Sequence, residues 1–397
     1  MDILDDRIKL VSYLPHGLIP DIRGFAPAIV AYNLTKYLNS VSVFTICNRE
    51  SCVENYEING EIGPITRIGE GRIYRRLFRK ISRLDPYPLH RRAAAIVNRI
   101  SPDIFHAHQL EFPINDFLKR LKKKIPIVVH AHVTNRKFSP ERGCADLYVA
   151  VSSYVRGRLI EQGYPEERIE VVYNGVDTGL FQPVSVDKKT AIRKGWNIPE
   201  DACVVSFVGR MQEVKGFHIF LQTVEILLNK YHNLYVIVVG SKQHDEKREK
   251  SYDLRTRVRK RLLSGYEKRY IEFPPMPHSD LSNVFKAADI SFQPSQIETQ
   301  GMAVIEAMAS GCISISTNVG GIKESISHGE TGFLLDNPDD IDGATQLIGD
   351  IIEYASKYDY IRDNARRFIL QNFDWKISAT KTEDLYFKLY GKAISGS

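Results

Sequence analysis

Cysteine is scarce in this sequence. Its five cysteines are odd in number and show no C-x-x-C spacing, which argues against a disulfide framework and against a structural zinc site. Long apolar runs are missing as well. Stretches such as 125–129 and 204–208 are strand-sized, whereas a membrane-spanning helix needs roughly 18 apolar residues. The first residues, MDILDDRIKLV, are acidic where a secretory signal is basic, so we expect a cytoplasmic protein.

The composition is that of a folded globular protein, because 43% of the residues are hydrophobic and 26% are charged. A length of 397 residues suggests two large domains. Apolar runs alternate with amphipathic segments, a pattern typical of parallel sheets covered by helices on both faces. The alternation breaks at the turn-rich stretch 174–190 and then restarts. We therefore predict an α/β fold with two doubly wound domains, 1–184 and 185–374, and a long terminal helix from Trp375.

Ligands of doubly wound sheets bind beyond the carboxyl ends of the strands, so the loops that follow strands are the places to search. The loop 209–216, GRMQEVKG, follows the apolar run CVVSFV and precedes a predicted helix. Arg210 and Lys215 bring two cations to this loop, and a helix N-terminus adds partial positive charge. A diphosphate fits such a loop. Taken alone, the loop fits an ordinary turn with solvated basic residues equally well.

A second loop and helix, 294–311, carry two glutamates eight positions apart, Glu298 and Glu306. A helix is predicted to open near Gly301, and Glu306 is the one charge on its otherwise apolar sequence. A charge on a mostly buried helix requires a partner. Amides at the helix start can bind an anion, while carboxylates on either side accept hydrogen bonds from hydroxyl groups. A sugar–diphosphate–ribose presents a hydroxyl, an anion and a hydroxyl in that order. The alternative is a structural ion pair between Glu306 and a buried Arg or Lys.

Together these features resemble the family 4 glycosyltransferases. The motifs that carry the resemblance are Glu298 with Glu306, the loop 209–216, NGVD at 174–177 with Phe181, TNVGGIKE at 317–324 and GETGF at 329–333. The resemblance covers most of 170–390. It implies a GT-B fold, in which two Rossmann-like domains face a central cleft and the terminal helix crosses back to the first domain. It also implies a retaining enzyme that uses a nucleotide-activated sugar without a metal.

The resemblance implies roles for individual residues of the donor domain. Arg210 and Lys215 hold the donor diphosphate, while Glu298, with a catalytic role, binds hydroxyls of the transferred sugar. Glu306 binds the ribose. The phosphates also meet backbone amides near the start of the helix, at Gly301, Met302 and Ala303.

The N-terminal half offers two further positions. The run PIVVHAH resembles the family's strand that ends in a histidine near the reacting sugar, and that histidine corresponds to His132, our second catalytic candidate. The family usually carries two adjacent glycines after its first strand. Here the segment 14–26 has one glycine in each candidate position, and we assign Gly24 to the donor.

Two features of the sequence are candidate metal sites. His106 with His108 and His130 with His132 form two H-x-H pairs, and alternate residues of a strand point to one face. No carboxylate stands at a diagnostic spacing, so a polar lining of a ligand site is favoured over a metal hydrolase. The D-x-D at 340–342 fits a helix cap better than a cation site. We therefore predict no metal.

Basic residues concentrate in the first half of the chain. Residues 1–185 have 26 Lys+Arg and 20 Asp+Glu, a net charge of +6, whereas 186–397 have 28 of each. The segment 67–92 alone has nine bases and two acids, and the segment 119–124, KRLKKK, is a second basic cluster. An amphipathic helix at 67–83 on an anionic membrane is favoured over the same helix packed on the domain. Nucleic-acid binding is a weaker choice, because no motif accompanies the charge.

The favoured function is metal-independent transfer of a sugar, with retention, from a nucleotide-diphosphate donor to a glycan, lipid-linked or polysaccharide acceptor of the cell envelope. We expect the second domain to hold the donor and the first the acceptor, with the enzyme cytoplasmic or peripheral on the inner face of the membrane. No cofactor is implied beyond the donor substrate. A sugar-nucleotide epimerase of similar fold is the first alternative. A non-catalytic sugar-nucleotide-binding protein is the second.

Overall fold

The computed structural model describes residues 7–15, 17–19, 25–49, 56–69, 88–133, 143–240 and 250–395. It divides the chain into two units, one formed by Met1–Gly175 with Trp375–Ser397 and the other by Val176–Asp374. The boundary predicted after residue 184 lies a few residues beyond this division. Gly24, one of the predicted donor-binding positions, lies outside the described residues.

Each unit is built on one sheet within the described ranges. The first sheet contains β1 Ile8–Leu14, β2 Val41–Arg49, β3 Tyr56–Asn59, β4 Gly63–Gly69, β5 Ile104–Ala107, β6 Ile127–Ala131, β7 Leu147–Ala150 and β8 Ile169–Val171. The second contains β9 Cys203–Val208, β10 Leu234–Val239, β11 Tyr270–Phe273, β12 Ile290–Gln293, β13 Ile313–Thr317 and β14 Phe333–Leu335. The strand orders are β3-β4-β2-β1-β5-β6-β7-β8 and β11-β10-β9-β12-β13-β14.

Helices alternate with these strands, as the apolar periodicity predicts. They are α1 Ala26–Tyr37, α2 Leu89–Ile100, α3 Ile114–Leu118, α4 Ser153–Glu161, α5 Val186–Gly195, α6 Phe217–Lys230, α7 Tyr252–Gly265, α8 His278–Ala287, α9 Met302–Ala309, α10 Ile341–Glu353, α11 Asp359–Asn372 and α12 Trp375–Ser395. The cap predicted at 340–342 is confirmed, because the Asp340 carboxylate accepts a hydrogen bond from the Gly343 amide at 2.8 Å. Among the described residues, no helix has the length and apolar character needed to cross a membrane.

The strands are parallel throughout both sheets apart from the pair β3–β4, which is antiparallel and joined by a turn at 60–62. The sequence did not predict this hairpin, because polar residues, glycine and proline interrupt the apolar pattern of its strands. The prediction of a helix at 67–83 is wrong for its first residues, because 67–69 belong to β4. Arg67 is buried there and donates to Glu57 at 2.9 Å and to the Ile19 carbonyl at 2.8 Å. Residues 70–87 of that prediction lie outside the described part of the chain.

The terminal helix α12 belongs to the first unit, although it follows the whole second unit in sequence. It packs against α1. The buried Glu383 carboxylate accepts hydrogen bonds from the backbone amides of Asn39 and Ser40 at 2.7 and 2.6 Å. Farther along the helix, the Tyr386 hydroxyl lies 2.6 Å from Nδ1 of His106, at the end of β5. These contacts explain why the polar groups of an otherwise apolar interface can be buried.

A buried ion pair holds α5 against the second sheet. The Arg193 guanidinium donates to Asp289 at 2.7 Å and to the Ala287 carbonyl at 2.9 Å, and Lys189 reaches the other oxygen of Asp289 at 2.6 Å. Burial raises the pKa of Asp289, but the two neighbouring cations outweigh it and hold the net pKa below the usual value. The pair lies before β12, at the end of the strand away from the loops that carry Glu298. Its role is therefore structural.

Replacing Arg193 with Ala is expected to lower the free energy of unfolding of the second unit by about 3–5 kcal/mol. Asp289 keeps Lys189 but loses one of its two cations, and the Ala287 carbonyl loses the guanidinium donor. Urea denaturation followed by fluorescence and circular dichroism measures this loss. The matched control is Arg261→Ala, which removes a pair with Glu225 of 2.6 Å whose arginine is 59% exposed. Such a pair contributes at most about 1 kcal/mol. Equal losses for the two variants would contradict the structural role of Arg193.

Candidate active site

The second sheet reverses its strand order between β9 and β12. From β9 the chain proceeds outward through β10 and β11, and then returns to place β12 on the other side of β9. The loops that follow β9 and β12 therefore leave the same edge of the sheet in opposite directions. Open α/β sheets bind their ligands in the crevice that such a reversal creates. The two loops singled out in the sequence, 209–216 and 294–301, are the walls of this crevice.

The two loops are locked together through their backbones. The Gln296 amide donates to the Val214 carbonyl at 2.9 Å. Gly216, which has a φ of +67°, precedes α6, and a β-carbon at this position would lie 1.6 Å from the Pro294 carbonyl oxygen. No other residue fits there, because both the left-handed φ and the close approach require glycine. The predicted helix start near Gly216 is confirmed, with a short 3-10 turn at Glu213–Lys215 before it.

Lys215 and Glu298, which are far apart in the sequence, meet in this crevice. The lysine ammonium forms an ion pair with Oε2 of Glu298, and the two side chains are 23% and 15% exposed. Oε1 of Glu298 also accepts a hydrogen bond from the Thr299 amide at 3.2 Å. A cation and a carboxylate thus stand together in a partly desolvated place, where electrostatic interactions are stronger than in water.

The N-terminus of α9 opens directly beside this pair. Gly301 caps the helix with a φ of +85°, and its α-carbon approaches Glu298 closely enough that an added β-carbon would lie 3.5 Å from Cγ of that side chain. The first amides of a helix have no acceptor within the helix. Met302 and Ala303, which carry such amides, are partly exposed. The predicted sites for phosphate binding at the helix start therefore lie next to the predicted sugar-binding carboxylate.

Glu306 lies one turn inside α9 and is buried. Its Oε1 lies 2.7 Å from Nε2 of His278, the first residue of α8, and the Phe181 ring covers that histidine with a centroid distance of 4.9 Å. The sequence predicted that Glu306 has a partner. If its role were only structural, that partner was expected to be a buried Arg or Lys. The partner is a histidine, which the sequence did not identify. Its signal is weak: a histidine after Pro277, where a helix begins.

Arg210 stands apart from the other donor-loop residues. Its side chain is exposed, and the ion pairs found among the described residues do not include it. Its backbone carbonyl accepts a hydrogen bond from the Gln212 amide at 2.8 Å, which shapes the loop. Unlike Lys215, Arg210 is therefore an exposed cation on the loop after β9.

The first unit brings its two H-x-H pairs into one cluster. His106 lies in β5 and His130 in β6, which are parallel neighbours. His108 and His132 directly follow these two strands. The ring centroids are 4.4 Å apart within each pair and 5.3 Å apart between His106 and His130. His132 remains partly exposed, whereas the other three are buried. The sequence identified each pair separately but did not predict that the two pairs lie against each other.

Burial keeps these imidazoles uncharged. It lowers the pKa of His132 to about 3. Burial, and to a smaller extent repulsion by the protonated form of His132, lowers the pKa of His106 to about 3. The pKa values of His108 and His130 also lie well below the usual value, chiefly because of burial. A neutral imidazole carries one donor and one acceptor nitrogen. His132 can therefore offer a hydrogen bond without adding charge.

Two family models match the chain. Glycosyltransferase Family 4 matches residues 28–180, and Glycosyl transferases group 1 matches residues 188–368. The lipopolysaccharide 1,2-N-acetylglucosaminetransferase of Salmonella typhimurium is 26% identical over 94% of this chain and 97% of its own length. The D-inositol 3-phosphate glycosyltransferase of Corynebacterium urealyticum is 29% identical over 58% of this chain and 54% of its own length.

Solved structures share the fold. Sucrose-phosphate synthase from Thermosynechococcus elongatus has a TM-score of 0.78 at 19% identity, covering 97% of this chain and 100% of that one. Anabaena HepE, in complex with UDP and glucose, has a TM-score of 0.75 at 20% identity, covering 96% and 100%. The fold is that of the GT-B glycosyltransferases. The chain belongs to the glycosyltransferases of the family 4 type, and the resemblance drawn from the sequence is confirmed.

Replacing Gly216 with Ala is expected to cost at least about 2 kcal/mol of stability, because the β-carbon meets a backbone oxygen and the residue keeps a left-handed φ. Thermal and urea unfolding measure the loss. Gly195→Ala is the matched control, since Gly195 ends α5 and a β-carbon there meets nothing within 4 Å. We expect that variant to be neutral or more stable by up to about 1 kcal/mol. Similar stabilities for both variants would argue against a rigid junction between the loops.

Proposed function

We propose that this protein transfers a sugar from a nucleotide-diphosphate sugar to a glycan, lipid-linked or polysaccharide acceptor, with retention at the anomeric carbon and without a metal ion. The observation that carries the proposal is the Lys215–Glu298 pair in front of the N-terminus of α9. A donor sugar needs hydroxyl acceptors, and its diphosphate needs positive charge. Glu298 provides the first, and Lys215 with the N-terminus of α9 provides the second beside it.

In this proposal the donor diphosphate replaces Glu298 as the partner of the Lys215 ammonium. Lys215, Arg210 and the amides of Met302 and Ala303 stabilise the negative charge that grows on the leaving nucleotide diphosphate. Two cationic side chains and the dipole of a helix N-terminus supply this positive charge, so the proposal assigns no divalent metal to the role. Released from its ion pair, the Glu298 carboxylate accepts hydrogen bonds from the sugar.

The ribose is assigned to Glu306, whose carboxylate His278 holds in place at 2.7 Å. Retention without a covalent enzyme intermediate is supported by the character of the first unit's candidate site. The side chains clustered with His132 in the described ranges are histidines rather than carboxylates, and His132 is uncharged. In this proposal His132 orients the sugar through a hydrogen bond, and the leaving diphosphate accepts the acceptor's proton.

The acceptor is proposed to belong to the cell envelope. The relative from Salmonella that matches nearly the full length is named as a lipopolysaccharide transferase, which supports a glycan acceptor. The basic cluster at 119–124 supports contact with an anionic membrane, because its lysines are exposed in the loop after α3. The first unit then holds the acceptor and the second the donor.

Replacing Lys215 with Ala is expected to lower kcat by at least about 10²-fold, because the leaving diphosphate loses a positioned cation. The donor is found first, by thermal-shift screening of UDP-, GDP- and ADP-sugars, and nucleotide release is then measured with an acceptor. Lys230→Ala is the control, since that lysine lies on the same unit, is 62% exposed and pairs with Glu353. Circular dichroism verifies that both variants fold.

Three outcomes would count against this assignment. The first is a near-wild-type rate for Lys215→Ala, which would remove the proposed role of the ion pair. The second is loss of transfer in EDTA, which would overturn metal independence while leaving the donor site intact. The third is release of an epimerised nucleotide sugar from donor alone, which would replace transfer by epimerisation.

Replacing Lys122, Lys123 and Lys124 together with Gln is expected to weaken binding to anionic vesicles by at least about 10-fold, because each lysine near such a surface contributes about 1 kcal/mol. Co-sedimentation with vesicles of phosphatidylglycerol and phosphatidylcholine measures the change, at low and high salt.

The control carries the same change of charge on the second unit, at the exposed residues Lys194, Lys260 and Lys268. We expect it to bind as the wild type does. Equal binding of the wild-type protein to neutral and anionic vesicles, independent of salt, would contradict the electrostatic contact.

A further inference from the structure

The histidine cluster of the first unit contains more nitrogen atoms than the proposed transfer reaction uses. One ring nitrogen from each of His106, His108 and His130 lies within 4.8 Å of the other two. All three residues are at least 98% buried. They extend from neighbouring strands whose register sets His106 beside Val128, so the three rings project from the same face. His132 contributes to sugar transfer in the proposal above, but these three do not.

Four buried nitrogens of these three rings have no hydrogen-bond partner in the described part of the chain. They are Nε2 of His106, Nδ1 of His108 and both ring nitrogens of His130. Each neutral imidazole has one N–H and one lone pair. Buried polar atoms are normally paired, and leaving them unpaired costs free energy. The cluster therefore calls for an occupant that accepts electron pairs from imidazole.

The remaining nitrogens of His106 and His108 are held by hydroxyl groups. Nδ1 of His106 lies 2.6 Å from the Tyr386 hydroxyl, and Nε2 of His108 lies 3.1 Å from the Ser12 hydroxyl. Metal-binding histidines have this arrangement, in which the second nitrogen donates its N–H to an oxygen and the first directs its lone pair at the metal. In both rings the nitrogen without a partner is thus the one free to bind a metal.

We propose that His106, His108 and His130 form a binding site for one late first-row transition metal ion, represented by Zn²⁺. Three neutral imidazoles without a thiolate or carboxylate suit zinc, nickel, copper or cobalt, whereas magnesium, calcium and manganese prefer oxygen ligands. A fourth position is left for a water molecule. The partly exposed His132 stacks on His130 at 4.4 Å and marks the route of entry.

Binding requires the rings to turn out of their present stack. The planes of His106 and His130 are tilted by 6°, and those of His108 and His130 by 24°, whereas one metal must lie close to all three ring planes. Zinc–nitrogen bonds of about 2.0–2.1 Å also place tetrahedral ligand atoms about 3.4 Å apart. Rotation about χ2, a broad torsion in histidine, supplies most of the change, while the parallel strands stay fixed.

The experiment uses the full-length chain without a polyhistidine tag, and the metal ion alone as the probe. Equilibrium dialysis against Zn²⁺ is expected to give one bound ion per chain, and Co²⁺ is expected to give the visible absorption of a nitrogen-ligated low-coordinate site. His108→Asn should remove this binding. His232→Asn is the control, since His232 is an exposed histidine of the second unit, and it should bind as the wild type does.

Ser12→Ala keeps all three ligands and tests the site without removing an imidazole. Loss of an outer-shell partner is expected to weaken zinc binding about 10- to 100-fold. The proposal is overturned if the wild-type chain binds no zinc, if His108→Asn binds as tightly as the wild type, or if His232→Asn loses the ion. A folded but metal-free wild type would show that water fills the cluster. Sugar transfer in EDTA is a separate measurement, so this site and the proposed function can fail independently.

Discussion

The direction of parallel strands is the constraint on which the rest of this structure depends. Because β9 and β12 are parallel neighbours, the loops that follow them leave one edge of the sheet, and the reversal of strand order opens a crevice there. Lys215 and Glu298 meet in that crevice despite their separation in the sequence. The same constraint operates in the first unit, where the reversal falls between β1 and β5. It brings histidines from the ends of two neighbouring strands together and places His108 beside Ser12 of β1.

Much of this arrangement could be read from the sequence because its signals are local. A buried parallel strand is a short apolar run, a helix start follows a glycine, and two glutamates eight positions apart are visible by inspection. The terminal helix α12 was predicted with its observed start, Trp375. The hairpin β3–β4 was missed because polar residues, glycine and proline interrupt the apolar pattern of its strands. The strand β14 was missed because three residues are too few to show a period.

The contacts between distant residues could not be read in the same way. Glu306 needed a partner, but the choice of His278 depends on how α8 lies against α9, which is set by packing rather than by local sequence. Arg67 looked like the first cation of a basic surface, yet strand pairing buries it against Glu57. The histidine pairs were visible, but their union depends on the register of β5 against β6. In each case the missing information was a tertiary distance.

The position of α12 has a consequence for the order in which the protein is made. Residues 176–374 form a contiguous unit, so every residue this unit requires has been synthesised before α12 emerges from the ribosome. The first unit lacks the Glu383 and Tyr386 contacts until that moment. The first unit, although its sheet is synthesised first, is therefore the last to be completed. Until then the face of α1 that α12 covers stays exposed, and a chain released early would retain the second unit beside an incomplete first unit.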